Sequence, residues 1–144
     1  MSKQMKANRV INGTFGRLWW DEDLLANTKS FEAKATLSWE TINISEDLAD
    51  HQKYTGWSGA GTITLHKIDS LAAVKLADAI QNGDMPDFKL VSRLADPAAY
   101  GHERVELTGV TFDELTLIKW ANKEVGEEEL PFKFSGYRFL DKIE

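Results

Sequence analysis

From residue 31 to residue 44 the side chains alternate. Phe31, Ala33, Ala35, Leu37 and Trp39 fall at one parity, and Glu32, Lys34, Thr36, Ser38 and Glu40 at the other. Successive side chains of a β-strand point to opposite faces, so period two puts these sets on opposite sides of a sheet. At about 3.3 Å per residue such a strand is roughly 45 Å long, while strands ordinarily run about 5–6 residues. It is longer than a solitary domain needs unless it bends. After Glu40 the pattern inverts, with Ile42 and Ile44 at the formerly polar parity, so a bulge or a change of burial is expected near Glu40.

The flanking segments are mostly of the same kind. Residues 14–20 alternate, the acidic Asp21, Glu22 and Asp23 form a turn, and Leu24 resumes an extended chain, which reads as a hairpin. Residues 59–68, 88–95 and 130–139 read as further strands, and 105–120 as two strands joined at Asp113 and Glu114. One helix is expected near 70–82. Asp69 or Ser70 caps it, Ala73, Leu76, Ala77 and Ile80 form its apolar stripe, and Gly83 ends it. Residues 45–58 break the alternation and are expected to form an extended loop. It carries Leu48, Tyr54 and Trp57, which a solvated loop does not need. The fold class expected is mainly β (α+β): a β-barrel or sandwich of about seven or eight strands with one helix, in a single domain over 1–144.

Composition excludes several function classes. With 144 residues, 42% of them hydrophobic, the chain can bury one sizeable core. It holds no apolar run of transmembrane length, and no apolar stretch follows the polar start, so neither membrane insertion nor a secretory leader is expected. There is no cysteine, hence no disulfide, no thiolate metal site and no cysteine nucleophile. A net charge of −6 is a poor basis for gripping phosphates, and suits a surface that nucleic acid slides past. His51, His66 and His102 lack zinc-ligand spacing, and the acidic runs at 21–23 and 127–129 read as solvated turns. The glycine-rich stretches at 13–16 and 56–61 are neither a P-loop nor a dinucleotide fingerprint, and are read as turn and bulge chemistry. No catalytic, cofactor-binding or metal-binding residue is assigned, and no enzyme activity is expected.

The five tryptophans need a place. Trp39 is expected in the core. Trp19 and Trp20 are neighbours on one strand and face opposite ways, so one core buries only one of them. The other is exposed, covered by the helix, or buried against another chain.

Six stretches, taken in order, carry a resemblance. They are Asn12-Gly-Thr-Phe-Gly-Arg-Leu-Trp19, the strand at 31–40, and Tyr54-Thr-Gly-Trp-Ser-Gly-Ala-Gly-Thr-Ile-Thr-Leu65. Then come Leu94-Ala-Asp-Pro-Ala-Ala-Tyr-Gly101, Phe112-Asp-Glu-Leu-Thr-Leu117 and Pro131-Phe-Lys-Phe134. Across about residues 8–140 the chain resembles the tail tube proteins of Gram-positive contractile phages. It resembles as well those of phage-tail-like particles such as PBSX-type defective prophages and R-type bacteriocins. The resemblance implies a structural subunit that self-assembles into hexameric rings stacked as a hollow tube. It implies a sheath outside, a tape-measure protein and then DNA inside without specific binding, and a baseplate. The place implied is the virion or particle tail, assembled in the host cytoplasm. It also implies long strands of adjacent subunits joined in an inner barrel, and an extended loop reaching the next ring.

Two sets of residues follow as expectations. Leu48, Tyr54 and Trp57 anchor the stacking of rings, and the face of Glu32, Lys34, Thr36, Ser38 and Glu40 lines the lumen. Two rivals stand beside this reading. One is the tube protein of a contractile secretion system, which shares the architecture. The other is a monomeric ligand-binding β-barrel, which needs polar groups converging on an interior cavity.

Overall fold

The computed structural model describes residues 6–10, 12–98 and 101–141. In chain order it contains β1 (Gly16–Trp20), β2 (Asp23–Leu24), β3 (Thr28–Asn43) and β4 (Asp50–His66). The helix α1 (Leu71–Asn82) follows, then β5 (Phe88–Leu94), β6 (Glu103–Phe112), β7 (Glu127–Phe134) and β8 (Gly136–Asp141). All eight strands pair antiparallel in the order β2-β1-β5-β6-β7-β4-β3, with β8 also on β6.

β6 joins the two halves of this open barrel. Its first part lies between β5 and β8, and its last two residues, Thr111 and Phe112, pair with β7. β7 and β8 form one course along β6, interrupted only at Ser135. The register continues across the break, from Phe112↔Phe132 and Thr111↔Lys133 to Thr108↔Gly136 and Leu107↔Tyr137. Gly109 stands at the bend with φ 63°, a conformation that glycine adopts without steric cost. From there the sheet forks: β7 continues beside β4, while β8 pairs with β6 alone.

The core fills the space between the halves. Leu18, Trp20, Ile63, Leu76, Leu90, Val110, Leu130 and Phe132 are fully buried. Alternation explains this selection: Leu130, Phe132 and Phe134 of β7 point inward, while Glu129 and Lys133 point out. Trp20 is buried and Trp19 half-buried, as adjacent residues of one strand require. Trp39 corrects the expectation of a core residue, since it is 54% exposed.

α1 covers the end of the core where Trp20 lies. Asp69 Oδ1 accepts a hydrogen bond from the Leu71 amide at 3.2 Å, and Gly83 closes the helix in the left-handed conformation. Ala72 and Leu76 are the buried helix residues, whereas Ile80 of the expected stripe is exposed. The Lys75 amine lies 5.5 Å from the centre of the Trp20 ring and 2.7 Å from Asp23 Oδ2.

Three segment boundaries differ from those read in the sequence. The course at 130–139 is two strands bent at Ser135. Residues 115–120, expected as the second half of the strand pair over 105–120, lie in an irregular stretch that runs over 113–126. The loop expected over 45–58 shrinks to 44–49, because Asp50–His66 is a continuous strand.

The glycines of 56–61 are largely strand residues, not turn chemistry. Gly59 pairs with Phe134 and Gly61 with Phe132, and both rings lie across the space that a Cβ would take. A side chain at Gly61 would also run into the Glu32 carbonyl of β3. Gly61→Ala is therefore expected to cost about 2–3 kcal/mol through overpacking, read as a lower urea midpoint with an unchanged slope.

Candidate assembly surface

β3 and β4 run together far beyond the body of the protein. The last β4 residue paired with β7 is Gly59, opposite Phe134. From there to Asp50, β3 is the one strand paired with β4 among the described residues. At about 3.3 Å per residue the hairpin projects roughly 30 Å. Its length follows from the alternation of β3, and its bend from a bulge that leaves Thr55 of β4 unpaired. Ser38 pairs with Gly56 and Trp39 with Tyr54, and Thr55 Oγ1 donates to the Ser38 carbonyl at 3.0 Å. The irregularity expected near Glu40 thus lies on the opposite strand. β3 keeps its own alternation, which leaves Ile42 on the face of Glu40.

The hairpin is apolar and uncovered. Leu37, Trp39, Ile42, Ile44, Leu48 and Tyr54 are all at least 43% exposed. Leu37, Trp39 and Tyr54 lie on one face of the hairpin and Ile42 on the other, so both faces carry exposed apolar side chains, which soluble monomers rarely leave uncovered. The three residues expected to act together as anchors occupy separate levels. Leu48 stands at the turn, fully exposed. Tyr54 packs edge-on against Trp39 at 5.4 Å. Trp57 sits at the fork of the sheet, against Phe134 at 6.0 Å and Tyr137 at 5.4 Å of its own chain.

The turn at 44–49 is held by Asp47. Its Oδ1 accepts from the Ala49 amide at 2.9 Å, and its Oδ2 lies 2.7 Å from His51 Nε2. The Ala49 amide first, and the His51 ring second, hold the Asp47 carboxyl below the usual carboxylate range. A depressed folded-state pKa gives stability that is present above the unfolded value and lost as pH falls through the folded one. At neutral pH the turn is fully clasped.

Glu32, Lys34, Thr36, Ser38 and Glu40 are exposed along the outer face of β3, away from the core that Phe31 touches. Lys34 Nζ and Glu32 Oε1 are 3.0 Å apart. Lys53 of β4 stands opposite Glu40, and Thr62 and Ser58 face Glu32 and Thr36. The face is small, polar and nearly balanced in charge, with no basic stripe for phosphates. Among the described residues no strand pairs with the other edge of the 16-residue β3, although β1 lies beside its first residues. Such an edge is a template for pairing with another chain.

An open groove of about 460 Å³ lies inside the fork, lined by Phe31, Ala33, Leu94, Val105, Phe134 and Tyr137 among others. Its polar lining is limited to Ser92, Glu103 and the Tyr137 hydroxyl, which is not the convergent set a small-ligand site uses. Among the described residues no group of three or more acidic or histidine side chains is placed to hold a metal ion. No helix there is long and apolar enough to cross a membrane.

Sequence reasoning missed one surface. In the irregular segment 113–126, Leu117, Ile118, Trp120 and Val125 are each at least 79% exposed. The available signal was the adjacent pair Leu117 and Ile118, since a half-buried strand does not place two large aliphatic residues side by side on opposite faces.

Comparison with known proteins bears on this architecture. A family model described as phage tail tube protein matches residues 3–141. The chain is 33% identical over 141 residues to the phage-like element PBSX protein XkdM of Bacillus subtilis, covering 96% of each. A solved Bacillus subtilis protein is 32% identical, with a TM-score of 0.52 over 94% of this chain and 99% of that one. At 11% identity the likeness is one of fold to a chain of the sheath–tube complex of an extracellular contractile injection system. There the TM-score is 0.67, over 96% of this chain and 98% of that one.

Proposed function

The chain belongs to the phage tail tube protein family, and from that premise we propose that it builds the tube by stacking hexameric rings into a hollow, non-catalytic conduit. The observation that carries this reading is the 16-residue strand β3, paired on one edge only and continued into an uncovered apolar hairpin. Within a ring, the free edge of β3 pairs with a free edge of the neighbouring copy, so that long strands close into an inner barrel. That closure turns the face of Glu32, Lys34, Thr36, Ser38 and Glu40 toward the lumen. Its balanced charge lets DNA, or a tape-measure protein, pass without being held.

Between rings, Leu48 and Tyr54 are the contacts that projection and exposure favour. Trp57 acts behind them, setting the angle of the hairpin through Phe134 and Tyr137. Burying each exposed aromatic or leucine contributes on the order of 2 kcal/mol, multiplied around a ring. Sheath and baseplate are the partners expected outside and at the end of the tube, in a phage or phage-like particle tail assembled in the host cytoplasm. The PBSX relative favours a phage-type particle over a secretion system.

Negative-stain electron microscopy of the purified chain at rising concentration tests the reading. Hollow tubes or six-fold rings are the expected result. Small monodisperse particles that persist at high concentration, and with sheath protein present, would replace it with the monomeric barrel.

A further inference from the structure

The two most exposed apolar features of this chain lie at opposite ends of it. β4 runs from Asp50, beside the hairpin turn, to His66. At His66 it meets Glu127, where the segment 113–126 enters β7, and the Lys67 amide donates to the Gly126 carbonyl at 2.9 Å. Seventeen residues of strand therefore separate the turn from that segment, roughly 50 Å. The two cannot touch within one chain.

They are complementary in charge as well as in exposure. The turn at 44–50 carries Glu46, Asp47 and Asp50 around the exposed Leu48 and Ile44, with no basic residue. The stretch 117–123 carries Lys119 and Lys123 around the exposed Leu117, Ile118 and Trp120, with no acidic residue. Flanking acids are present. Asp113 lies 3.7 Å from the Lys133 amine, Glu127 bonds Lys29, Glu128 lies 3.2 Å from the Lys67 amine, and Glu114, Glu124 and Glu129 complete the set. Neither Lys119 nor Lys123 lies within ion-pair distance of a carboxylate among the described residues, although the Lys29 hydrogen bond first, and the charge of Lys119 after it, hold the Glu127 carboxyl below its usual range. A symmetric contact would set acidic turn against acidic turn, or basic segment against basic segment. A head-to-tail contact joins opposite charges and buries both apolar patches, and it repeats without closing on itself.

We propose that the segment 117–123 is the receiving surface for the hairpin turn of a second copy of this chain, in the next layer of the assembly. The inference deepens the tube reading and rests on it. Leu48 and Ile44 pack on Leu117, Ile118 and Trp120, while Glu46 and Asp50 face Lys119 and Lys123. Asp47 stays engaged with Ala49 and His51, shaping the turn.

A reciprocal charge swap tests this. One full-length chain carries Lys119→Glu and Lys123→Glu, and a second carries Glu46→Lys and Asp50→Lys. Each alone juxtaposes like charges, and its critical concentration for elongation is expected to rise at least about tenfold, or ~1.4 kcal/mol per contact. Mixed in equal amounts, the two chains restore opposite charges at every contact, and elongation returns. Swapped chains that elongate alone like the unaltered protein, or a mixture that stays inert while circular dichroism shows both chains folded, would overturn the assignment. Failure of the unaltered chain to form any ring or tube would instead remove the tube reading beneath it.

Because the chain has no cysteine, a second measurement is independent of charge and of the swapped residues. Leu48→Cys in one chain and Ile118→Cys in another are mixed, assembled and oxidised. A heterodimeric disulfide confined to the assembled fraction is expected. Assembled material that yields only unlinked chains or dimers of one type would refute the contact.

Discussion

A chain in which residues 41–52 are replaced by Asn-Gly is expected to fold normally and to lose tube elongation completely. Glu40 and Lys53 are partners across the hairpin, and Asn-Gly is a two-residue turn whose twist matches paired strands. The edit removes Leu48, Ile42 and Ile44 and keeps the Trp39–Tyr54 pair. No residue it removes belongs to the core. Changes to surface segments away from core and caps ordinarily shift stability by about 0.5 kcal/mol, hence melting temperature by only a few degrees. Removing the contacts between rings, by contrast, acts several times over at every layer, because each copy loses its contact at once. Circular dichroism and sedimentation check the two halves of the result. Tubes of ordinary length from the shortened chain would show that the hairpin turn has no part in stacking.

The same hairpin shows how far the sequence could be read. β3 was legible because its alternation is unbroken from Phe31 to Trp39, and a strand with one apolar and one polar face writes period two directly. β4 was half legible. Its inner part alternates around Ile63 and Leu65, but residues 50–58 break the alternation and carry the pattern of a loop. The bulge at Thr55 puts Tyr54 and Trp57 three positions apart, which breaks the parity that marks a strand. A strand exposed on both faces in the single chain also has no reason to alternate. The segment at 115–120 failed in the opposite direction. Leu117, Ile118 and Trp120 imitate strand composition yet face solvent in the single chain, while Leu115 packs against the core, because exposed and buried apolar residues look alike in sequence. What the sequence could not show was therefore where one chain's surface is another's interior. The fork of the sheet at Gly109 and Ser135 was hidden for a different reason: a kink set by one positive φ leaves no trace in hydrophobic pattern.

Phe132→Ala and Trp39→Ala are expected to give opposite profiles, although both remove an aromatic ring from this strand system. Phe132 is fully buried, stacked on Phe31 at 5.8 Å and set against Phe112 at 6.2 Å and Phe134 at 6.3 Å. Deleting it leaves a cavity in the centre of the core, at a cost of about 3–5 kcal/mol. For a domain of this size that lowers the melting temperature on the order of 10–15 °C, a large part of the total stability. It also removes the ring on which Phe31 stacks, and so one side-chain contact of β3 with the body, while the β3–β4 ladder remains. Trp39 is more than half exposed and touches Tyr54 alone among the aromatic rings. Its removal is expected to cost the folded chain less than about 1 kcal/mol, while raising the concentration needed for assembly. Thermal melts read at low concentration, set beside elongation at high concentration, separate the two. If Trp39→Ala destabilised the monomer as strongly as Phe132→Ala, the hairpin would be packed against its own chain, and its exposed aromatic residues would not be free for a neighbour. The expected divergence places the boundary between core and interface on β3 itself, between Phe31 and Leu37, where one strand passes from holding its own chain together to joining the next.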